Sequence, residues 1–414
     1  MWIKRVATYF ILVSIYGFSV LISTLARILP RRRWKPTGRI IVTGTFFNPN
    51  WYLSHISPLA RSGVKEVILV VDAPHKSMDN VKFVCWPHWM SKLLSRQVAR
   101  AIWLFVAGIR YRPDLYMGYH LGPGACTALI AGKLMGRPTC YQMTGGPVEI
   151  IDGGINSVDS IGGNLGHPSK FIERLALAVV RQFELVVVRG SQAKIFLAEK
   201  NIQNNVTIIT GSINSSVESI QNERSIDLIF VGRLSPIKQI NQFIEITANI
   251  SRKIHDVRAV IVGDGPLLND MQEYAAKLNV SDNVEFLGKK ENVGEILASS
   301  KIFILTSKSE GLSIALAEAM VAGVVPVVSD IGELSDLVKD GVNGYLIEPN
   351  NTNQHAEKVL SLLQDETLRT QFSQKAIEEA KKLCDIEVVS EKWKNNIKEV
   401  ISKSSGYIEE NLQN

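Results

Sequence analysis

Two glutamates, Glu310 and Glu318, stand in a segment whose other residues are small or apolar, Glu310-Gly-Leu-Ser-Ile-Ala-Leu-Ala-Glu318. An unpaired carboxylate among such neighbours is energetically costly, so it needs a polar partner. Two carboxylates at one edge of a core could accept hydrogen bonds from the hydroxyl groups of a ribose and of a sugar. For these two residues taken alone, the alternative of two glutamates that reach solvent stays open.

Two cations, Arg233 and Lys238, flank a turn that contains Pro236. Their spacing allows both side chains to converge on one anion, such as a diphosphate leaving group. Fixed cations lower the barrier of a reaction in which negative charge builds up on that group. The alternative is a pair of solvated surface cations.

The elements that must position these side chains follow from the hydrophobic pattern. A β-branched run at 302–305, an Ala-rich run at 314–323 and a second β-branched run at 324–329 predict a strand, a helix and a strand. The helix would begin near 311–313, where free backbone amides and the helix dipole favour a phosphate. Glycines also follow three further predicted strands: Gly232, Gly263 and Gly288.

The Glu310 to Glu318 segment resembles the signature of two glutamates separated by seven residues in retaining nucleotide-sugar glycosyltransferases of family 4, the glycosyl transferases group 1. The likeness extends from about Asp227 to Asn350 and keeps several motifs in the family's order. It implies the GT-B fold, an α/β chain of two Rossmann-like domains that face each other across a cleft. It is specific for the class of enzyme and carries no information about the sugar.

The resemblance also implies roles for individual residues. Arg233 and Lys238 would stabilise the diphosphate, and Glu310 would contact the sugar; we take these three as the catalytic candidates. Glu318 would hold the ribose. The family has a glycine after the lysine, where this chain has Gln239. The remaining donor-binding candidates are Gly311, Leu312, Ser313, Gly232, Gly263, Gly288 and Gly44.

The first domain contributes weaker candidates. Gly44 follows a predicted strand at 39–43; the family often has paired glycines there, whereas a lone glycine could simply make a tight turn. The family's sugar-contacting histidine corresponds here to Thr144, and His120 ends the neighbouring strand. His120 and Thr144 are therefore acceptor-side candidates, although a lone histidine is more often structural. The glycine-containing segment 147–168 is interpreted as an acceptor-side lid.

The predicted domains are an N-terminal apolar helix with its basic flank at 1–35, an acceptor domain at 36–213, a donor domain at 225–385 and a crossover helix at 386–414. With 414 residues and 46% hydrophobic content, the chain can form two cores. The polar, aperiodic segment 214–225 is the predicted linker.

The charge distribution argues against nucleic acid as a partner. The net charge is +6, but residues 1–35 hold seven of the 46 basic residues and no acid, which leaves 39 basic against 40 acidic residues. A nucleic-acid groove would need basic residues across a folded face. The four cysteines are far apart, which argues against a zinc site and a disulfide framework. No Asp-x-Asp motif occurs, so neither a metal nor another cofactor is expected beside the nucleotide-sugar co-substrate.

The segment 6–26 has no charged residue, and as a helix it would rise about 31 Å, the thickness of a bilayer core. It predicts a membrane anchor. The basic cluster behind it, which includes Arg31, Arg32 and Arg33, predicts that the rest of the chain lies in the cytoplasm. A cleaved signal peptide and an interfacial or re-entrant helix are the alternatives.

A second basic feature lies in a predicted helix at 86–111. Lys92, Arg96 and Arg100 stand four residues apart beside Trp89 and Trp103, a pattern that suits an anionic membrane surface. An ordinary solvated helix face explains the pattern equally well.

Together these features predict a retaining glycosyltransferase. It would move a sugar from a nucleotide sugar to a lipid-linked or cell-envelope polysaccharide acceptor at the cytoplasmic face of the membrane. One alternative is a soluble GT-B sugar-nucleotide enzyme, either an epimerase or a small-molecule transferase. Another is a non-catalytic subunit of a glycosyltransferase complex, against which the intact set of Arg233, Lys238, Glu310 and Glu318 argues.

Overall fold

A computed structural model describes residues 2–28, 34–46, 49–157, 161–213 and 224–406. The arginine cluster at 31–33 and most of the predicted linker at 214–225 lie outside the described residues. The chain forms two compact units. Unit 1 comprises Met1–Gly211 with Val389–Asn414, and unit 2 comprises Ser212–Val388.

Unit 1 contains a parallel sheet of seven strands in the order β3-β2-β1-β4-β5-β6-β7. The inner strands are rich in β-branched or aromatic residues and are buried on both faces, as a doubly covered parallel sheet requires, whereas the edge strands β3 and β7 are only half-buried. The bounds of the seven strands are β1 (Arg39–Thr43), β2 (Glu66–Val71), β3 (Val81–Cys85), β4 (Leu115–Tyr119), β5 (Thr139–Met143), β6 (Leu185–Val188) and β7 (Val206–Ile208).

Helices cover both faces of this sheet. Alternate strand residues separate into two cores; Ile41 and Tyr116 face one layer of helices, whereas Val42 and Met117 face the other. The helices are α1 (Trp2–Ala26), α2 (Pro49–Ala60), α3 (His88–Leu94), α4 (Arg96–Tyr111), α5 (Cys126–Leu134), α6 (Lys170–Val180) and α7 (Ser191–Glu199).

Unit 2 contains a six-stranded parallel sheet in the order β10-β9-β8-β11-β12-β13. Its strands are β8 (Ile226–Val231), β9 (Ala259–Val262), β10 (Val284–Gly288), β11 (Ser300–Leu305), β12 (Val325–Ser329) and β13 (Tyr345–Ile347). Its helices are α8 (Ile240–Ser251), α9 (Leu268–Lys277), α10 (Gly294–Ala298), α11 (Ile314–Val321), α12 (Leu334–Leu337), α13 (Thr352–Gln364) and α14 (Glu366–Cys384).

The last helix, α15 (Ile386–Ser405), belongs almost entirely to unit 1. Val389, Trp393 and Ile397 pack into the core that also contains Val42 and Met117. The chain therefore leaves unit 1 once and returns to complete its core.

The N-terminal apolar helix is present, but it does not stand free of unit 1. One stripe of α1 packs along α5 and α6 and buries Thr8, Leu12 and Tyr16. Further along this stripe, the hydroxyl groups of Ser19 and Ser23 donate hydrogen bonds to backbone carbonyls four residues earlier. These hydrogen bonds explain how the apolar segment tolerates serines, because a backbone carbonyl of the same helix accepts the hydrogen bond of each hydroxyl group.

The predicted basic stripe on a single helix is wrong. The helix breaks at Ser95, which has a positive φ of 75°, so α3 and α4 do not share one helical face. Arg96 pairs with Asp72, and Arg100 is buried with its guanidinium directed at the Gly44 carbonyl and the Thr45 hydroxyl. These two arginines therefore hold loops of unit 1 rather than a surface.

The interpretation of 147–168 as a lid is also wrong for its described part. Ile150 and Leu165 belong to the core of unit 1. Short 3₁₀ turns at Gly146–Glu149, Ile151–Gly153 and Ile161–Asn164 replace the expected open loop. Residues 158–160 lie outside the described part.

Candidate active site

The catalytic candidates of unit 2 come from two turns at the carboxyl ends of β8 and β11. These strands are neighbours in the sheet, with Leu228 opposite Ile302. The turns are joined directly: the Lys308 amide donates to the Ile237 carbonyl at 2.8 Å, and the Thr306 hydroxyl donates to the Gln239 carbonyl at 3.1 Å. The arrangement places both turns at one edge of the sheet, where parallel α/β folds bind ligands.

Lys238 and Glu310 form an ion pair between these turns. The Ser307 hydroxyl donates a hydrogen bond of 2.6 Å to the same carboxylate oxygen of Glu310. The Glu310 side chain is only 10% exposed, so solvent screens this pair less than a surface pair. The structure therefore brings together two of the four predicted charged residues.

Glu318 lies on α11 and has a different environment. Its carboxylate has no hydrogen bond or ion pair to any residue that the structure describes. Burial raises the pKa of this carboxyl group from 4.5 to about 7. An uncompensated carboxylate at a ligand-binding edge is suited to accept hydrogen bonds from hydroxyl groups.

Arg233 follows the end of β8 and is exposed. Among the described parts of the chain it forms no ion pair, and no hydrogen bond joins Arg233 to the Lys238–Glu310 pair. Its charge is available at the same turn that carries Lys238, five residues further along.

The amino end of α11 follows the Glu310 turn. Ser313 caps it, because its hydroxyl oxygen accepts a hydrogen bond from the Leu316 amide at 3.3 Å. Gly311 and Leu312, both half-buried, precede this cap. The first-turn amides of a helix lack intrahelical partners, and they favour an anion together with the helix dipole.

The candidate glycines allow the turns of unit 2 to touch. A Cβ atom on Gly263, whose φ is 147°, would overlap the Gly232 carbonyl oxygen. The Gly263 amide donates to the Gly288 carbonyl at 2.9 Å. A further glycine that sequence reasoning did not select, Gly332, has a φ of 51°, and a Cβ there would overlap the Glu310 carbonyl oxygen. Only glycine fits these contacts, so they fix the position of the Glu310 turn.

At Gln239, where the family resemblance implies a glycine, the backbone conformation is one that favours glycine. Gln239 adopts a left-handed conformation with φ of 48° and ψ of 47°. Such a conformation costs an L-residue about 1–2 kcal/mol relative to glycine. Here the Gln239 side chain donates to the Asn350 side chain at 3.0 Å, which offsets part of this strain.

In unit 1, His120 and Thr144 lie together at the carboxyl ends of β4 and β5. The Thr144 hydroxyl lies 3.1 Å from the His120 Nδ1 atom. The Trp51 ring stacks nearly parallel to the imidazole, with 6.0 Å between ring centroids. His120 also has a positive φ of 56°, an unusual conformation that is frequent at functional sites.

Sequence reasoning missed the residue that holds this histidine. The Glu149 carboxylate lies 3.1 Å from the His120 Nδ1 atom and accepts hydrogen bonds from the Tyr141 hydroxyl at 2.8 Å and the Gly145 amide at 2.6 Å. Burial alone would raise the pKa of Glu149, but the charge of His120 and these hydrogen bonds lower it. The only sequence signal was an isolated acid, since no other occurs between Asp114 and Asp152.

Gly44 has a packing role in the structure. A Cβ atom there would lie 2.9 Å from the Tyr119 Cβ atom, and the Gly44 carbonyl accepts a hydrogen bond from Arg100 at 3.4 Å. The close approach to β4 therefore explains the glycine without a ligand. Its assignment to donor binding stays a prediction.

Residues 212–379 match the model of a protein family described as glycosyl transferases group 1. This range contains both turns of the unit 2 site and all of α11.

Two curated relatives illustrate the range of proteins that this chain is similar to. It is 32% identical over 151 residues to N-acetyl-alpha-D-glucosaminyl L-malate synthase of Bacillus anthracis, with 36% of this chain and 39% of that protein covered. It is 35% identical over 141 residues to UDP-Gal:alpha-D-GlcNAc-diphosphoundecaprenol alpha-1,3-galactosyltransferase of Escherichia coli, with 33% and 36% covered. The matched region thus spans well under half the length of each relative.

A solved structure covers more of the molecule. The crystal structure of HepE from Anabaena in complex with UDP and glucose aligns with a TM-score of 0.69 and 17% identity, covering 88% of this chain and 99% of that one. This likeness shows the fold. The prediction of an α/β chain with two Rossmann-like domains of the GT-B type is confirmed, as is the presence of an apolar N-terminal helix.

Proposed function

We propose that this chain, which belongs to the glycosyl transferases group 1 family, is a retaining glycosyltransferase that uses a nucleotide sugar. The observation that carries the proposal is the charge arrangement in unit 2. Lys238 and Glu310 are paired across two adjacent turns, whereas the Glu318 carboxylate lacks a partner among the described residues and has a raised pKa. This pattern suits a ligand that carries both phosphate oxygens and vicinal hydroxyl groups.

In the proposed reaction, the bond between the sugar anomeric carbon and the diphosphate oxygen breaks while the acceptor oxygen bonds to that carbon on the same face. A diphosphate oxygen takes the acceptor proton, so the products are a glycoside and a nucleoside diphosphate. Arg233 and Lys238 stabilise the negative charge that develops on the diphosphate. Glu310 positions Lys238 through their ion pair and contacts the sugar, and Glu318 holds the ribose hydroxyls.

The amino end of α11, with Gly311, Leu312 and Ser313, supplies backbone amides to the same ligand. Gly232, Gly263 and Gly288 line the donor site through the turns that they allow to touch. We further propose metal independence, because Arg233 and Lys238 provide the positive charge that a divalent cation supplies in other transferases. Activity that survives a chelator such as EDTA would support this part.

For the acceptor, we propose a lipid-linked or cell-envelope glycan at the cytoplasmic face of the membrane. The Escherichia coli relative is named for a sugar linked to diphosphoundecaprenol, and this chain has an apolar helix at its N-terminus. In unit 1, His120 with Thr144 and Glu149 forms the acceptor-side cluster. A small-molecule transferase is the second candidate, because the Bacillus anthracis relative is named for malate.

The test begins with a thermal-shift screen of the purified chain against UDP, GDP, ADP and their sugars. The radiolabelled form of the sugar that stabilises the chain is then incubated with the chain and bacterial membranes. Label that moves into the organic phase of a chloroform–methanol extraction supports a lipid-linked acceptor, whereas label in a small water-soluble product supports the second candidate. Absence of both binding and transfer would favour a non-catalytic subunit.

A further inference from the structure

Three helices of unit 1 lie side by side in one layer, because α5 contacts α4 on one side and α1 on the other. One outward stripe of α4 consists of exposed apolar side chains that repeat at helical spacing, while Gln97 and Arg110 are exposed beside it. The stripe comprises Val98, Ile102, Val106 and Ile109, the last with 68% of its surface exposed. A charge-free stripe on the outer side of a helix is the reverse of what a solvated helix shows.

The neighbouring helices continue this surface. On α5, Leu134 is exposed, and on the adjacent α3 Trp89 and Leu93 are exposed. The outward side of α1 presents Phe10, Phe18, Leu21 and Leu25. We call the outward residues of α1, α3, α4 and α5 the apolar face. A soluble monomer rarely exposes so many large apolar side chains on one layer, so the face needs an occupant.

The charged residues within the four helices have one sign, although two of them pair with acids of neighbouring segments, Arg96 with Asp72 and Lys133 with Glu184. None of the four helices contains an aspartate or glutamate, and the first acidic residue of the chain is Glu66. Exposed basic residues stand at the helix ends: Lys4, Arg27, Lys92, Arg110 and Arg112. A second copy of this chain would bring the same positive ends against each other. An anionic bilayer offers both the apolar interior and the opposite charge.

The packing of α1 decides how the protein meets that bilayer. Leu12 and Tyr16 are buried against unit 1 along the length of the helix, so a spanning orientation would remove them from their core. We propose that the apolar face lies flat on an anionic membrane surface, with α1, α4 and α5 in the membrane plane, as a monotopic attachment. This proposal specifies how the enzyme is attached to the membrane. It rests on the proposed function only where it concerns the position of the acceptor.

A small pocket at the carboxyl ends of α4 and α5 supports an anionic lipid as the occupant. Ile109 of the apolar face and Met135 form its apolar wall, and Arg112 and Arg137 also line it. The Tyr116 hydroxyl in this pocket is buried and has no hydrogen-bond partner among the described residues. Arg137 already stacks over the Trp34 ring and lies near the buried Asp114 carboxylate. The Arg112 guanidinium and the Tyr116 hydroxyl are therefore the groups that suit the phosphate of a lipid headgroup.

The same attachment places the acceptor-side cluster near the lipid. Leu121, the residue after His120, packs in one core with Leu12 and Tyr16 of α1. A Cβ atom built on the next residue, Gly122, would lie 3.4 Å from the Tyr16 hydroxyl oxygen. An acceptor carried in the bilayer would therefore present its head group beside His120.

Flotation of the purified full chain with lipid vesicles, without nucleotide sugar, tests this inference separately from catalysis. One variant carries Ile102→Glu and Ile109→Glu, and a second carries Phe18→Glu and Leu21→Glu. The control is Ile195→Glu, which charges an equally exposed apolar residue on α7. We expect wild type and control to float with vesicles that contain phosphatidylglycerol. Each double variant should lose at least about tenfold in partitioning, since each removes two buried apolar contacts.

Three results would overturn the proposal. If the α4 variant floats like wild type while the α1 variant does not, α1 alone attaches the protein. If wild type floats equally well with pure phosphatidylcholine, the positive charges have no role. A change from dimer to monomer in the α4 variant, measured by light scattering without vesicles, together with unchanged flotation, would assign the face to a protein partner. Circular dichroism excludes unfolded variants.

The orientation has its own test. A Trp2→Cys variant in a Cys85→Ser background is expressed in bacteria, and inverted membrane vesicles are treated with an impermeant maleimide. The remaining cysteines, Cys126, Cys140 and Cys384, are buried. A helix in the membrane plane leaves position 2 on the cytoplasmic side, where it is labelled. Labelling only after detergent treatment would show that α1 spans the membrane and would contradict the proposal.

Discussion

At the residue scale, the charged side chains of unit 2 differ in whether another side chain compensates their charge. Lys238 is held in place by Glu310 before any ligand arrives, which reduces the ordering that catalysis requires. Glu318 has no partner among the described residues, so the free protein carries an energetic penalty that a ligand can relieve. Residue types and spacing made these three side chains candidates, and the resemblance to the glycosyltransferase family was needed to select them.

The acceptor-side cluster was only partly accessible from the sequence. Thr144 was selected because it stands where the resembled family has a sugar-contacting histidine, and His120 because it ends the neighbouring predicted strand. Glu149 was not, because its partners come from the ends of two strands and a later turn, and this proximity exists only in the folded chain. Its isolation from other acids marked it as unusual but did not indicate its partners.

The first prediction concerns Glu318→Gln and the stability of the ligand-free protein. The folded-state pKa of Glu318 is about 7, above the ordinary value of 4.5, so the wild type loses stability as the pH rises from about 4.5 to 7. The variant has no such loss. Denaturant unfolding at pH 8 should therefore show the variant more stable by about 1–3 kcal/mol. At pH 4.5 the difference should disappear; an equal difference at both pH values would contradict the assignment.

The second prediction concerns Lys238→Ala. Because the lysine acts on charge that develops during the reaction, kcat should fall on the order of 100-fold or more, while nucleotide affinity changes much less. Steady-state kinetics and calorimetric titration measure the two effects. Lys301→Ala removes a different lysine–carboxylate pair of the same unit, the pair with Asp227, and serves as the control. A loss of affinity as large as the loss of kcat would make Lys238 a binding residue.

At the element scale, strands and their terminal turns were predictable, but the reasons for individual turn residues were not. The sequence indicated glycines after β8, β9 and β10, whereas the overlap of Gly263 with the Gly232 carbonyl arises from the packing of neighbouring turns. The break between α3 and α4 was missed because Ser95 does not forbid a helix by itself. Burial of Arg100 under the Gly44 loop likewise depends on tertiary contacts.

The third prediction concerns Gly263→Ala. The added methyl group would overlap a backbone carbonyl, so the turns after β8 and β9 must separate, at a cost of at least ~3 kcal/mol. Gly341→Ala is the matched control, because Gly341 also has a positive φ but its added methyl group would meet no neighbouring atom within 4 Å. It should lose about 1 kcal/mol. Chemical denaturation measures both variants, and equal losses would contradict the packing argument.

At the scale of the whole molecule, the parallel order of both sheets and the two-unit organisation follow from repeated strand and helix patterns. The sequence could not show that α1 packs along unit 1, because a 25-residue apolar helix has the same composition whether it crosses a membrane or lies on a domain. The apolar face was also hidden. Its residues come from four helices that are separate in the sequence and become neighbours only through the sheet.

The fourth prediction concerns α15, which completes the core of unit 1. Trp393 is 1% exposed and contacts the core from a position that follows all of unit 2 in the sequence. Trp393→Ala should destabilise the protein by about 3–5 kcal/mol. Lys394→Ala, the exposed neighbour, is the control and should have little effect. Unfolding followed by circular dichroism distinguishes them; similar stabilities would contradict the role of α15.

Calorimetric titration of the purified chain with UDP, GDP and ADP tests the central claim most directly, because it asks whether the turns after β8 and β11 with α11 form a nucleotide site. We predict that one of the three nucleotides binds to wild type and that Glu318→Ala weakens this binding at least about tenfold, since the ribose loses its hydrogen-bond acceptor. If no nucleotide binds, or if Glu318→Ala binds as tightly as wild type, the site has been assigned incorrectly.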